Sequence, residues 1–253
     1  MPTLKHVDFE VPDWGELQTG PSIAPGYANH VLALGPAVYW RSIADGMLPE
    51  LVAGNHAAAV GDPQPRQPGM IERDPTPSID FNGDSYALAP AVPALADAAE
   101  LTWIAWLNLH AIGQNYRCVF EQQDGGSIRR MRIFSRSDND SLDVWLRVSS
   151  GIARIIQPHA TLGLTAGVRH QLAITWDGQS MRLFVDGALV DADDAQHGGT
   201  TLAAHEMHIG SAAGGTFRLN GSMQELAVFG YALSSSQIAG LHDRARGVPR
   251  LGD

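Results

Sequence analysis

The sequence has very little cysteine: Cys118 is the only one among 253 residues. A single cysteine cannot form an internal disulfide bond, and no spacing of cysteine and histidine predicts a zinc site. Cys118 stands in the apolar run Cys118-Val119-Phe120, so we expect it to be a buried structural residue. Because a chain of this length can bury roughly three quarters of its unfolded surface, an apolar core alone is a sufficient source of stability.

Long apolar runs and positive charge are also scarce. The absence of a stretch of about 20 apolar residues argues against a membrane-spanning helix. The first residues lack the basic start and apolar run of a secretory signal. Lysine and arginine number 17 against 27 aspartate and glutamate, a net charge of -10. Because nucleic acids and anionic membrane surfaces attract cations, we expect neither nucleic-acid binding nor membrane insertion.

Glycine and proline are plentiful instead, with 27 and 15 residues spread along the chain. Turn sequences such as Asp177-Gly178 and Asp186-Gly187 favour tight reversals, because aspartate and glycine tolerate positive φ. The run Leu101–His110 is apolar on both of its faces, a pattern typical of a central strand buried on two sides. These features predict an all-β fold. A capping box that begins at Ser234 predicts a short C-terminal helix.

The first 27 residues differ from the rest. Four prolines interrupt them, and proline at this density blocks helices and central strands. We therefore expect residues 1–27 to form an extended arm and residues 28–253 to form one domain, which opens with a short helix near Ala28–Leu34. We expect the arm to contact a neighbouring subunit through its aromatic side chains, Phe9, Trp14 and Tyr27. The alternative is a free tail, because chain termini are often unattached.

Several phrases along the chain together resemble the laminin-G-like jelly rolls of the concanavalin A-like superfamily. The most specific is a hairpin that reads W-D-G and then R-L-F-V-D-G, followed later by a terminal phrase that ends in A-L-S. The phrases occur in family order along residues 28–245: Val31–Ser42, Ile79–Pro90, Glu100–Leu109, Arg169–Val190 and Phe217–Leu241. The resemblance implies two antiparallel sheets packed face to face in a jelly-roll sandwich, one sheet being concave.

The resemblance also bears on calcium. In the family an aspartate that can serve a calcium ion usually precedes the glutamate of the last strand, but here Gln224 precedes Glu225. Another departure puts Ala44 where the family often has a glutamate. Loss of the aspartate weakens the site, because calcium prefers several carboxylate or carbonyl oxygens. An oxygen cluster near the family's calcium position supplies the candidate metal ligands, Asp80, Asn82 and Asp84. We expect that no cofactor is required.

Catalytic carboxylates are missing from the expected core strands. Glycosidases on this superfold need two carboxylates about 5–9 Å apart across the scissile bond. On a strand, that geometry requires acidic residues two or four positions apart. The only Glu-x-Asp pair, Glu72 and Asp74, stands in a loop-like segment immediately before a proline. We therefore predict that the protein is not an enzyme.

Two features favour ligand binding instead. Trp145 alternates with Val144 and Leu146 in an expected strand, so it faces outward with Arg147. Outward tryptophan and arginine stack on sugars or anchor partner proteins. Arg132 belongs to a set of seven arginines between residues 117 and 154, which we expect to line one sheet face and meet an acidic partner. The alternatives are a strand buried on both faces, and arginines that pair locally with acidic neighbours.

Functions from three classes are open at this point. We favour a structural protein of a bacteriophage particle, a capsid decoration or tail protein. Laminin-G-like jelly rolls work mostly outside cells, and a virion protein made in the host cytoplasm leaves by lysis without an export signal. It would assemble with capsid or tail subunits, or with its own copies, and binding of a host-surface glycan is compatible with this role. The alternatives are a free-standing carbohydrate-binding lectin-like module and, less favoured, a glycosidase.

Overall fold

The computed structural model describes residues 26–42, 48–66, 68–113, 115–123, 129–194, 197–201 and 205–247. Within them two antiparallel sheets form the body of the fold with two α-helices, so the predicted all-β sandwich with a short C-terminal helix is confirmed. Phe9, Trp14 and all of the expected arm before Gly26 lie outside the described residues, as does Ala44. In the described ranges, neither helix is long and apolar enough to span a bilayer.

Fifteen strands and two α-helices are defined in the described residues. In chain order they are α1 (Tyr27–Ala33), β1 (Val38–Trp40), β2 (Ala58–Val60), β3 (Gln64–Arg66), β4 (Ser78–Asp80), β5 (Tyr86–Ala89), β6 (Leu101–Leu109), β7 (Arg117–Gln123), β8 (Arg129–Arg136), β9 (Ser141–Val148), β10 (Gly151–Pro158), β11 (Arg169–Trp176), β12 (Met181–Val185), β13 (Ala188–Asp193), β14 (Met207–Ile209), β15 (Gly221–Phe229) and α2 (Ser235–Ala245). The eight-stranded sheet has the order β13-β12-β11-β6-β15-β4-β3, with β1 beside β15. The seven-stranded sheet has the order β10-β9-β8-β7-β14-β5-β2.

The main core lies between the two sheets and includes alternate residues of the long strands. In β6, the side chains of Trp103 and Leu107 belong to this core, whereas Ile104 and Trp106 face the opposite side of the sheet. This confirms the prediction of a central strand that is buried on both faces. Cys118 is buried, as predicted.

Helices cover the outer face of the eight-stranded sheet. Ile104 and Trp106 form a second apolar cluster with residues of α1 and α2, so the middle of this face is closed to solvent, whereas Arg182 near its edge is partly exposed. The predicted capping box at Ser234 is present, with its hydroxyl accepting the Gln237 N–H and the Gln237 side chain accepting the Ser234 N–H. The predicted N-terminal helix begins one residue earlier than expected, at Tyr27.

The position of Tyr27 corrects the expectation that it contacts a neighbouring subunit as part of an extended arm. Its side chain is only 4% exposed and packs in the second apolar cluster, against its own sheet. Burial raises the pKa of the Tyr27 hydroxyl well above its usual range. Tyr27 is therefore a core residue of the domain, because its aromatic ring gains more from this cover than from exposure on an arm.

No α-helix among the described residues packs against the outer face of the seven-stranded sheet, and a single 3-10 turn, Ala213–Gly215, covers part of β7 there. Strand β10 at its edge was not predicted from the sequence, and it pairs with β9 over its full length, from Gly151 opposite Val148 to Pro158 opposite Ser141. Its addition extends the open face by one strand. The outer face of the seven-stranded sheet is therefore less covered than that of the eight-stranded sheet, and it is the more accessible surface for a ligand.

Candidate functional site

Arginine and aromatic side chains occupy one half of the open sheet face. We call this surface the arginine–aromatic face, and it consists of Arg132, Phe134, Arg136, Asp143, Trp145, Arg147 and Arg154, with Tyr116 and Phe217 from adjoining loops. Strand alternation places these residues outward while Met131, Ile133, Val144 and Leu146 fill the core. The register then sets Trp145 opposite both Arg132 in β8 and Arg154 in β10.

The predicted ligand-binding residues, Trp145, Arg147 and Arg132, lie together at the centre of this face. The guanidinium carbon of Arg147 lies 5.3 Å from the centroid of the Trp145 ring, and that of Arg132 lies 5.6 Å from it. Arg132 is also 4.6 Å from the centroid of Phe134. Such cation–π contacts hold the arginines in place. Trp145 and Arg147 are partly exposed, but Ser141 and Asp143 on the same side of β9 are buried, so the alternative of a strand that is buried on both faces holds for part of its length.

An aromatic cluster continues the surface at one end. Phe217 packs edge to face with Phe134 at 5.6 Å and with Tyr116 at 6.1 Å, and Arg136 lies 5.6 Å from the Tyr116 ring. Phe217 is 51% exposed and has a φ of 51°, an unfavourable backbone conformation for a bulky residue. Strained, exposed aromatic residues often mark functional positions.

Sequence reasoning missed this cluster. The alternation of Phe134 between Arg132 and Arg136 was a usable signal, because it places all three on one strand face. The position of Phe217 carried no such signal, because its neighbours come from distant parts of the chain.

Asp143 organises the arginines. Its side chain is fully buried, and it accepts hydrogen bonds from Arg154 at 2.8 and 2.9 Å and from Arg132 and Arg136 at 3.2 Å each. Burial alone would raise the pKa of Asp143, but the hydrogen bonds and charges of these arginines, with Arg154 first, hold it below the ordinary value of 3.8. Asp143 is therefore an ionised anchor for three cations.

Some of the seven arginines between residues 117 and 154 pair with acidic neighbours, as the alternative to partner binding predicted. Arg129 contacts the buried Glu121 at 3.0 Å, and Arg136 donates two hydrogen bonds to the exposed carboxylate of Asp138. The hydrogen bond from Arg136 lowers the pKa of Asp138 to about 2. The two interpretations are thus compatible, because the arginines line one sheet face and also pair with acidic neighbours.

The candidate metal ligands Asp80, Asn82 and Asp84 lie in the turn after β4. Asp80 Oδ1 accepts the Asn82 N–H at 3.0 Å, and Asn82 Oδ1 accepts the Asp84 N–H at 3.1 Å. The other oxygen of Asp80 contacts Arg66 at 3.1 Å. Asp80 and Asn82 therefore have structural partners already. Among the described residues, no group of three or more His, Cys, Asp or Glu side chains is placed to hold a metal ion.

Gln224 has a structural role at the position where the family has its aspartate. Its side-chain oxygen accepts the Met70 N–H, and its side-chain nitrogen donates to the Thr76 carbonyl at 3.1 Å. An amide can do both at once, whereas a carboxylate can only accept. The neighbouring Glu225 is buried, with Arg41 Nε donating to its Oε1 at 3.0 Å. Hydrogen bonds within the chain therefore hold this corner of the sheet.

A hydrogen-bonded Ser–His–Asp series occurs at one end of the sandwich. Ser135 Oγ lies 3.2 Å from His159 Nε2, and His159 Nδ1 lies 3.0 Å from Asp140 Oδ1. This is the order of groups in serine hydrolases. However, Ser135 is only 1% exposed and shares a strand face with the core residues Met131 and Ile133. Because a substrate has no access to its hydroxyl in this structure, the series is best explained as a link between β8 and the turns beside it.

The loop carboxylates of Glu72 and Asp74 pair with different arginines, Glu72 with Arg169 and Arg246 and Asp74 with Arg41. Glu72 contacts Arg169 at 2.7 Å, while Asp74 makes a close two-oxygen contact with Arg41. Each carboxylate thus ties the loop to a different part of the fold.

Comparison with known proteins identifies the family that the chain matches. A family model described as the concanavalin A-like lectin/glucanases superfamily matches residues 81–239, more than half of the chain. None of the curated proteins with which the chain was compared matches it.

Solved structures with the same fold include receptor-binding domains of botulinum neurotoxins. The serotype D binding domain has a TM-score of 0.62 at 12% identity, with 82% of this chain and 50% of that chain covered. The serotype G binding domain has a TM-score of 0.61 at 11% identity and the same coverage, 82% and 50%. A serotype D ligand binding domain in complex with N-acetylneuraminic acid has a TM-score of 0.60 at 10% identity, again with 82% and 50% covered. The chain thus spans about half the length of these structures, and the likeness is one of fold.

Proposed function

The chain belongs to the concanavalin A-like lectin/glucanases superfamily, and on that premise we propose that it is a non-catalytic domain that binds a saccharide on the arginine–aromatic face. The observation that carries the proposal is the position of Trp145, which is partly exposed on β9, one strand in from the edge of the seven-stranded sheet, and is flanked by Arg132 and Arg147. The exposed part of the Trp145 ring offers an apolar surface to a sugar beside the two arginines that lie over the ring, and these arginines donate hydrogen bonds to the oxygens of the sugar.

The carboxylates near Trp145 support binding rather than hydrolysis. Asp143 is buried and accepts hydrogen bonds from three arginines. Glu121 is buried as well, and its two oxygens accept from Arg129 and from the Ala213 N–H. A glycosidase needs one carboxyl group that can give up a proton and a second that attacks or activates water. Carboxylates that are held by cations in this way serve neither purpose well.

A glycan array followed by titration calorimetry tests the proposal. We expect a defined set of saccharides to bind, and we expect Trp145→Ala to weaken the binding by about tenfold or more, the effect of losing a central aromatic anchor. Leu189→Ala is the matched control, because Leu189 is an exposed apolar residue of β13 in the other sheet. An array without signal, or equal affinity in Trp145→Ala and the native protein, would show that the proposal is wrong.

A more specific role, as a capsid decoration or tail protein of a bacteriophage particle, rests on the sequence alone. It supposes that residues 1–25, the part of the arm outside the described structure, tie the domain to neighbouring subunits. We expect the full chain to form oligomers in multi-angle light scattering and a chain that starts at Gly26 to be a monomer. Equal masses per particle in the two proteins would contradict the role of the arm.

A further inference from the structure

The arginine–aromatic face carries a local excess of positive charge in an acidic protein. The chain has a net charge of -10. On or beside this face, however, four arginines, at positions 132, 136, 147 and 154, stand against three aspartates, at 138, 143 and 193, which leaves one positive charge. The adjoining pair of Arg129 and Glu121 adds no net charge. A positive surface that persists within an acidic chain favours an anionic ligand.

Asp143 cannot neutralise the arginines that surround it. A carboxylate offers about four lone-pair sites, and Asp143 already receives two hydrogen bonds from Arg154, one from Arg132 and one from Arg136. One negative charge therefore faces three positive ones. The side chain of Arg154 is 42% exposed, so part of this charge is open to solvent and to a ligand.

The same carboxylate fixes the arginines before any ligand arrives. Arg154 lies against Asp143 in a two-bond contact, and the cation–π contacts with Phe134 and Trp145 restrain Arg132. A site whose side chains are already ordered loses less conformational entropy on binding. Because Trp145 pairs directly with Arg154 across the strands, a sugar ring stacked on Trp145 would place its substituents beside this guanidinium.

From this arrangement we infer that the ligand is an acidic saccharide, one that carries carboxylate or sulfate groups. Its ring packs on Trp145 and its anionic group binds Arg154 and Arg132, since planar guanidinium groups pair with such oxyanions through two parallel hydrogen bonds. The inference rests on the proposed function and names the chemical class that this surface selects.

The test compares saccharides that differ only in their anionic groups. One pair is an oligomer of a hexuronic acid and its carboxyl-reduced form, and the other is a sulfated oligosaccharide and its desulfated form. We expect the anionic member of at least one pair to bind about tenfold more tightly than its neutral partner, with affinity falling as salt rises. The pair that shows this difference identifies carboxylate or sulfate as the recognised group.

Variants then locate the effect. Arg154→Gln is expected to remove most of the preference for the anionic member, and Arg147→Gln, which leaves the Asp143 contacts intact, is expected to reduce the affinity for it. Arg169→Gln is the matched control, because Arg169 is a partly exposed arginine of the other sheet that pairs with Glu72. Circular dichroism at 25 °C confirms that each variant is folded.

The outcomes separate this inference from the function on which it rests. Equal binding of the anionic and neutral members would overturn the acidic class and leave saccharide binding intact. An absence of saccharide binding in both pairs and on the array would overturn both. Binding of polyglutamate without binding of any saccharide would show that the face recognises an acidic protein instead. A preference that survives Arg154→Gln and Arg147→Gln together would place the anion elsewhere.

Discussion

Replacing Asp143 by asparagine removes one negative charge from between three arginines while keeping the size of the side chain. In the native protein this carboxylate is fully buried and contacts Arg132, Arg136 and Arg154 at 2.8–3.2 Å. In the variant, three guanidinium groups remain close together with a single amide oxygen to share. We therefore expect Asp143→Asn to lower the free energy of unfolding.

The expected decrease in the free energy of unfolding depends on how deeply Asp143 and its arginines are buried. Removing one partner of a fully buried ion pair costs about 3–5 kcal/mol. Here the arginines keep 19–42% of their side-chain area in solvent and can turn towards water, so we expect about 2–3 kcal/mol. For a domain of this size, that corresponds to a fall in Tm of about 4–12 °C.

Urea denaturation at pH 7, followed by tryptophan fluorescence, measures this loss directly. Asp138→Asn is the control, because Asp138 pairs with Arg136 at an exposed position where an ion pair contributes little, and we expect an unfolding midpoint close to that of the native protein. A midpoint for Asp143→Asn equal to that of the native protein would refute the view that Asp143 anchors the arginines.

A second check is how the stability difference between the native protein and Asp143→Asn depends on pH. Because the folded-state pKa of Asp143 lies below its ordinary value of 3.8, ionisation stabilises the native protein at every pH well above that value. The difference in unfolding free energy between the native protein and Asp143→Asn should therefore be constant near neutrality. It should shrink as the pH falls below 3.8 towards the folded-state pKa.

Three further predictions concern other parts of the fold. Burial raises the pKa of Glu225 from 4.5 to about 8, so stability should fall as the pH rises between these values, and a Tm series should show a flatter profile for Glu225→Gln. His159→Ala should cost about 2–3 kcal/mol in urea denaturation, because it removes a buried side chain and leaves the buried Ser135 hydroxyl without its hydrogen bond; a change below about 0.5 kcal/mol would contradict the linking role of His159. Calcium and a chelator should give the same Tm, because Asp80 already contacts Arg66, whereas a rise of several degrees with calcium would indicate a site.

Local sequence signals predicted much of the fold. The turns at Asp177-Gly178 and Asp186-Gly187 join neighbouring antiparallel strands, as expected from residues that tolerate positive φ. The capping box at Ser234 marks the start of α2 because its hydrogen bonds span only three residues. Strand β10 was missed, although the Ser150-Gly151 dipeptide before it is a turn signal.

Turn residues and strand alternation were enough to predict an all-β fold and the outward direction of Trp145, because both are properties of neighbouring residues. The two-sheet sandwich was implied by the resemblance to the family. Tertiary structure decided the rest. Register alone set Trp145 between Arg132 and Arg154. Packing turned Tyr27 into a core residue, and it brought Phe217 against Phe134 from more than eighty positions away. These contacts depend on which strands become neighbours, and that choice is made by burial of the whole apolar core rather than by any local run of residues.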